Sequence, residues 1–166
     1  MAANGPRKQL ALDTNVLFHL ADRQDFAHAF REAFLEAGYG LRFPPTVLAE
    51  LVAAELTGAA RTRRLAALAL SNVLKWQIRP FDLTSVEQAI AEQFARRLLG
   101  TGLLPSEEMN DAFILAETTV AGIPLLVSSD RHLLGVDHDE LRRLSRQADL
   151  SPVQVAHPGR LLRAIR

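Results

Sequence analysis

The sequence predicts an α/β fold, a parallel sheet of about five strands covered by helices on both faces, and three observations predict it. Two apolar runs, residues 10–12 and 123–127, do not alternate with polar residues, so each reads as a strand buried on both faces, as in parallel sheets. The stretches between such runs carry apolar residues three and four apart, the stripe of an amphipathic helix. Glycines and prolines punctuate the alternation, and strand–helix–strand order within one sheet makes the strands parallel.

Taken in order, Leu10, Ala11 and Leu12 lead to Asp13 at the end of the first strand, the sheet edge where ligands bind in open α/β folds. Thr14 or Asn15 is placed to start the next helix. Leu17, Leu20, Phe26, Phe30, Phe34 and Leu35 mark helical turns over residues 16–37 with a break near Asp22, and Gly38 and Gly40 end them. Residues 41–43 form a second strand closed by Pro44 and Pro45. Proline suits a first helical position, and the helix it opens carries Glu50. A third helix spans about residues 61–74, opening on Arg61, Arg63 and Arg64. Trp76, Ile78 and Phe81 alternate as a strand, which Pro80 marks as an edge. Thr84 or Ser85 caps a helix through Leu99, ended by Gly100 and Gly102. Ser106 is the next expected cap, with Glu107 and Glu108 in the first turn of a helix carrying Asp111. Gly122 closes that helix, and the strand over 123–127 runs into Ser128, Ser129 and Asp130. A polar helix over 137–148, a strand at 153–155 and a helix over 158–165 complete the chain.

A chain of 166 residues, 48% hydrophobic, is the size of one domain with its own core. Residues 9–166 are expected to form that domain and residues 1–8 a flexible N-terminus. Nineteen basic residues balance nineteen acidic ones, so no global positive field announces nucleic acid, and a polyanion would be met by local patches. Two such patches exist: Arg61, Arg63 and Arg64, and Arg131 with His132. The absence of cysteine excludes disulfides, thiolate metal sites and cysteine nucleophiles. No apolar leader or membrane-length run is visible, so a cytoplasmic protein that does not enter the membrane is expected.

The chemistry lies in four acids. If the strands ending at Asp13 and Asp130 are neighbours, they lie roughly 4.8 Å apart, and their carboxylates reach one common point. Two carboxylates at about 4 Å repel by roughly 4 kcal/mol at an effective dielectric near 20, so a positive group is expected between them. With Asp111 and Glu50 added, the donor set is all oxygen and suits Mg²⁺ or Mn²⁺. Such ions lower the pKa of bound water and stabilise the charge built up in phosphodiester cleavage. Each acid also has a plainer reading. Asp13 and Asp130 could cap helices, Glu50 in LAELVAAEL could be a solvated helical residue, and Asp111 follows Glu107 and Glu108 on one face. The argument rests on the four together.

LALDTNVL, then Glu50 in PPTVLAELV, then Asp111 in NDAFILAE, then Asp130 in LLVSSDRHLL resemble the successive acidic motifs of PIN-domain ribonucleases, notably VapC-like toxins. The resemblance covers about residues 9–165, including the final VQVAHPGRLLRAI. It implies a three-layer α/β/α sandwich and a Mg²⁺- or Mn²⁺-dependent endoribonuclease, with RNA as substrate. It also implies a homodimer, which apolar residues such as Trp76 and Phe81 near the edge strand would serve. A VapC-like toxin would have a small antitoxin protein as partner. Carried over, Asp13, Asp111 and Asp130 would hold metal, and Glu50 would bind a metal or orient the attacking water. Asn15 and Ser129 match polar positions behind these acids. Arg131 and His132, with Arg61, Arg63 and Arg64, would meet RNA phosphates. Residues 135–151 read as an insertion relative to compact toxins.

Rival α/β enzymes lose on absent residues. A haloacid-dehalogenase-like phosphatase wants a second aspartate two residues after the first, where Asn15 stands. A receiver domain wants a further acidic pair near the first strands and a lysine after a late strand, which Lys8 and Lys75 do not supply. The rival from another class is a PIN-like module that binds RNA or protein without cutting, against which the presence of all four acids argues.

Overall fold

The structure is a computed structural model that describes residues 7–166. The flexible N-terminus expected from the sequence lies, for residues 1–6, outside the described residues. The elements run β1 (Gln9–Leu12), α1 (Thr14–Ala21), α2 (Asp25–Glu36), β2 (Gly40–Phe43), α3 (Pro45–Thr57), α4 (Ala60–Asn72), β3 (Ile78–Pro80), α5 (Ser85–Gly100), α6 (Met109–Val120), β4 (Leu125–Val127), α7 (Arg131–Leu134), α8 (His138–Gln147), β5 (Gln154–Ala156) and α9 (Pro158–Ile165). The five strands form one parallel sheet in the order β3-β2-β1-β4-β5, with Leu10 opposite Leu41 and Leu12 opposite Val127. Helices flank it in an α/β/α sandwich. None of the described helices is long and apolar enough to cross a membrane.

Central β1 is buried on both faces, as its unbroken apolar run requires, and Leu41, Phe43, Leu126 and Val127 continue that layer beside it. The strand order reverses between β1 and β4, so the crevice outside their carboxyl ends is the topological switch point. Asp13 and Asp130 follow these two strands.

Several local expectations are corrected. The cap of α1 is neither Thr14 nor Asn15: Asp13 itself accepts from the Thr14 N–H. The helix carrying Asp111 starts at Met109, not after Ser106. Residues 105–108 make a turn closed by the Glu108 N–H on the Pro105 carbonyl, and the Ser106 hydroxyl goes to Glu107 instead of a helix N–H. Trp76 precedes its strand, because Gln77 adopts a left-handed φ of 61° and turns the chain into β3. Its half-buried ring packs edge-on against His28 at 6.0 Å, and Phe81 is buried and so offers no apolar dimer face.

The two border strands end differently. Pro80 of β3 has no N–H, and its carbonyl accepts from Arg42 Nη2 at 3.1 Å. On β5 the Gln154 N–H turns inward to the Pro124 carbonyl, while the Val155 N–H donates to His138 Nε2 of α8 at 3.2 Å. Residues 135–151 thus hold the packed helix α8, with Leu141 and Leu144 buried and Asp137 as its cap.

Candidate active site

The strand-end pair is built from backbone. The Asp13 N–H donates to the Val127 carbonyl at 2.9 Å, locking the end of β1 to β4. Oδ1 of Asp13 accepts from the Thr14 N–H at 2.7 Å, and the Ser128 hydroxyl donates to Oδ2 at 2.6 Å. The same Ser128 oxygen accepts from the Asp130 N–H at 2.9 Å. Oδ1 of Asp130 accepts from the N–H groups of His132 and Leu133 at 2.8 and 3.2 Å, capping α7. Both acids therefore cap helices at the ends of β1 and β4, and Asp13 has both of its oxygens hydrogen-bonded. Burial pushes the Asp13 carboxyl above its ordinary pKa; the Ser128 and Thr14 hydrogen bonds oppose the rise, and the charge of Asp130 adds to it.

The helix-borne pair is held otherwise. Glu50 stands on α3 and Asp111 in the first turn of α6. Burial, then the charges of Asp13 and Glu117, push Glu50 up to about 7; the Thr14 hydroxyl stands near enough to temper the rise, though not in hydrogen-bonding geometry. Burial, then the charges of Asp130, Asp13, Glu108 and Glu50, push Asp111 up to about 8. Glu50 Oε1, Asp111 Oδ2 and Thr14 Oγ1 are buried without a hydrogen-bond partner. The four predicted acids thus sit within one another's fields.

A divalent cation fits this chemistry. The donors are hard oxygens, and the orphaned oxygens of Glu50 and Asp111 are lone pairs with no protein donor to meet them. Among the described residues, no three His, Asp or Glu side chains stand close enough to hold a single ion.

The surroundings divide. Ser128, not singled out in the sequence, joins Asp13 to Asp130, whereas Ser129 turns to His19 Nε2 at 3.0 Å. Burial holds that ring below its ordinary pKa, with the charge of His157 adding to the effect. Asn15 is half-buried in the first turn of α1. Arg131 is exposed on the rim beside Asp130, and His132 Nε2 lies 3.4 Å from Glu108 Oε1. Arg61, by contrast, pairs at 2.9 Å with Asp22. Asp22 closes α1 at the end opposite Asp13, about 14 Å away at the helical rise. Arg63 and Arg64 are exposed in the same turn of α4 as Arg61, whereas Arg131 and His132 follow Asp130 directly in the first turn of α7. Glu117 was also missed. It is buried on α6, where burial raises its pKa, and accepts from both the N–H and the hydroxyl of Thr46 at 2.9 Å. A glutamate inside a helix reads as solvated, and only the partner 71 positions away reveals otherwise.

No curated protein matches the sequence. Among solved structures, one chain of the crystal structure of VapBC2 from Rickettsia felis bound to a DNA fragment from their promoter is similar, with a TM-score of 0.61. The match covers 90% of this chain and 98% of that one at 15% sequence identity, a likeness of fold. Residues 10–139 match the PIN domain family, a span that holds Asp13, Glu50, Asp111 and Asp130 together with the switch point between β1 and β4. The chain belongs to the PIN domain family.

Proposed function

We propose that the protein is a Mg²⁺- or Mn²⁺-dependent endoribonuclease. The observation that carries this reading is the pair of buried, unpartnered oxygens on Glu50 and Asp111, beside two acids fixed at the ends of β1 and β4. Asp13, Asp111 and Asp130 would hold the cation, which when bound supplies charge stabilisation at the cleaved phosphate and lowers the pKa of water. Glu50, with a pKa near 7, is matched to take a proton at Oε1 from the attacking water near neutral pH. Asp111, pushed up to about 8 by burial and the neighbouring carboxylates, would bind the cation as its carboxylate. Ser128 holds Asp13 and Asp130 in register, with Asn15 and Ser129 beside them. Arg131 and His132 meet the phosphate backbone at the rim, and Arg61, Arg63 and Arg64 extend that path. Single-stranded or looped RNA is the substrate class such a shallow edge accommodates.

The likeness to a VapBC2 chain supports the narrower reading of a toxin with a small antitoxin partner, acting in the cytoplasm. A homodimer belongs to the same reading. The exposed stripe Leu48, Val52 and Leu56 on α3, spaced by four, supports it where the buried Phe81 does not. Light scattering that shows a monomer at tens of micromolar would remove the dimer.

The test is a panel of single-stranded and stem-loop RNAs with Mn²⁺ or Mg²⁺, with EDTA and Asp111→Asn as controls. Cleavage is expected with the metal, is expected to stop with EDTA, and is expected to fall about a hundredfold or more in the variant, the scale of losing one stabilising group at a reacting centre. RNA that stays intact at high enzyme and metal concentration gives the protein to the rival reading, a module that binds without cutting.

A further inference from the structure

Glu117 is a buried carboxylate that the proposed chemistry does not use. Its Oε1 accepts from the Thr46 N–H and its Oε2 from the Thr46 hydroxyl, both at 2.9 Å, and the residue is 1% exposed. Thr46 is the second residue of α3, a helix that cannot cap itself. Pro44 at its N-cap makes no side-chain cap, and Pro45 has no N–H. A serine or aspartate at that cap would close the helix locally. Here the acceptor comes from α6, so one residue both satisfies the amino end of α3 and ties that end to a second helix. The tie is charge-assisted and forked, and it places a negative group at the positive end of the helix.

Its position gives it a consequence. Glu50 lies four residues beyond Thr46, about one helical turn along α3, and Asp111 lies six residues before Glu117 on α6. We infer that Glu117 is a positioning residue: its clamp on Thr46 fixes α3 against α6 and so sets Glu50 against Asp111. The consequence for turnover rests on the nuclease reading; the clamp itself does not.

The experiment compares full-length wild type, Glu117→Gln, Glu117→Ala and Thr46→Val by amide hydrogen exchange, Mn²⁺ titration calorimetry and RNA cleavage. Glutamine keeps an oxygen for the Thr46 N–H and an amide for its hydroxyl, so it is expected to stay within about threefold of wild type in every readout. In Glu117→Ala, amides over residues 47–50 are expected to exchange about tenfold faster while those of α5 and β4 hold, and Mn²⁺ affinity to fall about tenfold. Its kcat is expected to fall about a hundredfold, the scale of a misplaced group, with KM within about threefold. Unchanged exchange over 47–50 together with wild-type Mn²⁺ affinity overturns the inference. Should alanine prevent folding, Thr46→Val decides alone: exchange over 47–50 and Mn²⁺ affinity equal to wild type overturn it, and a shift in both supports it. A wild type that binds Mn²⁺ but cuts no RNA removes the nuclease reading, and exchange and Mn²⁺ affinity then decide the clamp.

Discussion

Asp13 and Asp130 hang from strand ends whose hydrogen bonds are made within the protein, whereas Glu50 and Asp111 project from helices, each with a buried oxygen unpaired. The same functional group is therefore held in two ways within one crevice. Ser128 and Thr14 donate to Asp13 and oppose the effect of its burial. Asp111 has no hydrogen bond set against its burial, and burial with the neighbouring charges takes it to about 8. The difference teaches a division of labour: the strand-end pair is framework that folding completes, and the helix pair carries electrostatic strain that a cation would relieve.

The largest expected effect separates the pairs by metal. At about 100 times Kd, Mn²⁺ adds about 2.7 kcal/mol of linkage stabilisation, roughly 5–11 °C in Tm for a chain of this size. Asp111→Asn is expected to forfeit most of it. Thermal melts with EDTA and with Mn²⁺ measure this, and an equal shift in both proteins would take Asp111 out of the site.

Ser128→Ala strikes the framework. It removes the buried donor to Asp13 and the part-buried acceptor for the Asp130 N–H, with an expected cost of about 2 kcal/mol. That loss is expected in EDTA and in Mn²⁺ alike. Urea denaturation in both conditions checks it, and a loss confined to Mn²⁺ would place Ser128 with the helix pair.

The pH response belongs to the helix pair. Glu50 and Asp111 hold protons in the folded state to about 7 and about 8, against ordinary values of 4.5 and 3.8. Their penalty is thus absent below the unfolded values, grows as pH rises from those values to the folded ones, and is complete above them. In EDTA, lowering pH from about 8.5 to about 5.5 is expected to stabilise the protein by about 1–2 kcal/mol after discounting for solvent screening of these partly exposed groups. The double variant Glu50→Gln, Asp111→Asn is expected to flatten that slope in melts across the same range. A wild type with no slope would break the comparison.

Asp13→Asn is expected to do least to the metal-free protein. Asparagine caps as well as aspartate, and shedding a buried charge offsets the hydrogen bond that the Ser128 hydroxyl loses. A Tm in EDTA within about 2 °C of wild type is the expected outcome on the size scaling, alongside loss of cleavage. A large drop would make Asp13 chiefly structural.

Much of the frame was legible because one-sided statistics decide it. Unbroken apolar runs such as residues 10–12 have one stable place in a sheet, and the capping box of Thr84 with Glu87 is local chemistry. Of the four acids proposed for the site, Asp13 follows such a run directly and Asp130 stands three residues after another. What stayed hidden depends on contacts across the chain. Ser128 and Ser129 are identical in sequence, and the backbone leaving β4 decides which one faces Asp13. Ser106 looked like a cap until the turn over residues 105–108 delayed the helix by a few residues. Trp76 and Phe81 looked like an exposed edge because alternation does not show what α2 and the core lay over them.

The borders of the sheet carry a last consequence. An open border strand is a template on which another chain can add a strand, the usual route to amyloid-like growth and strand-swapped assemblies. Here Pro80 offers no N–H and has its carbonyl engaged by Arg42, while His138 engages the outward N–H of Val155. The five-stranded sheet is thereby closed to recruits on both sides at these positions, and self-association is left to helical surfaces, where side-chain shape and not backbone pairing selects the partner.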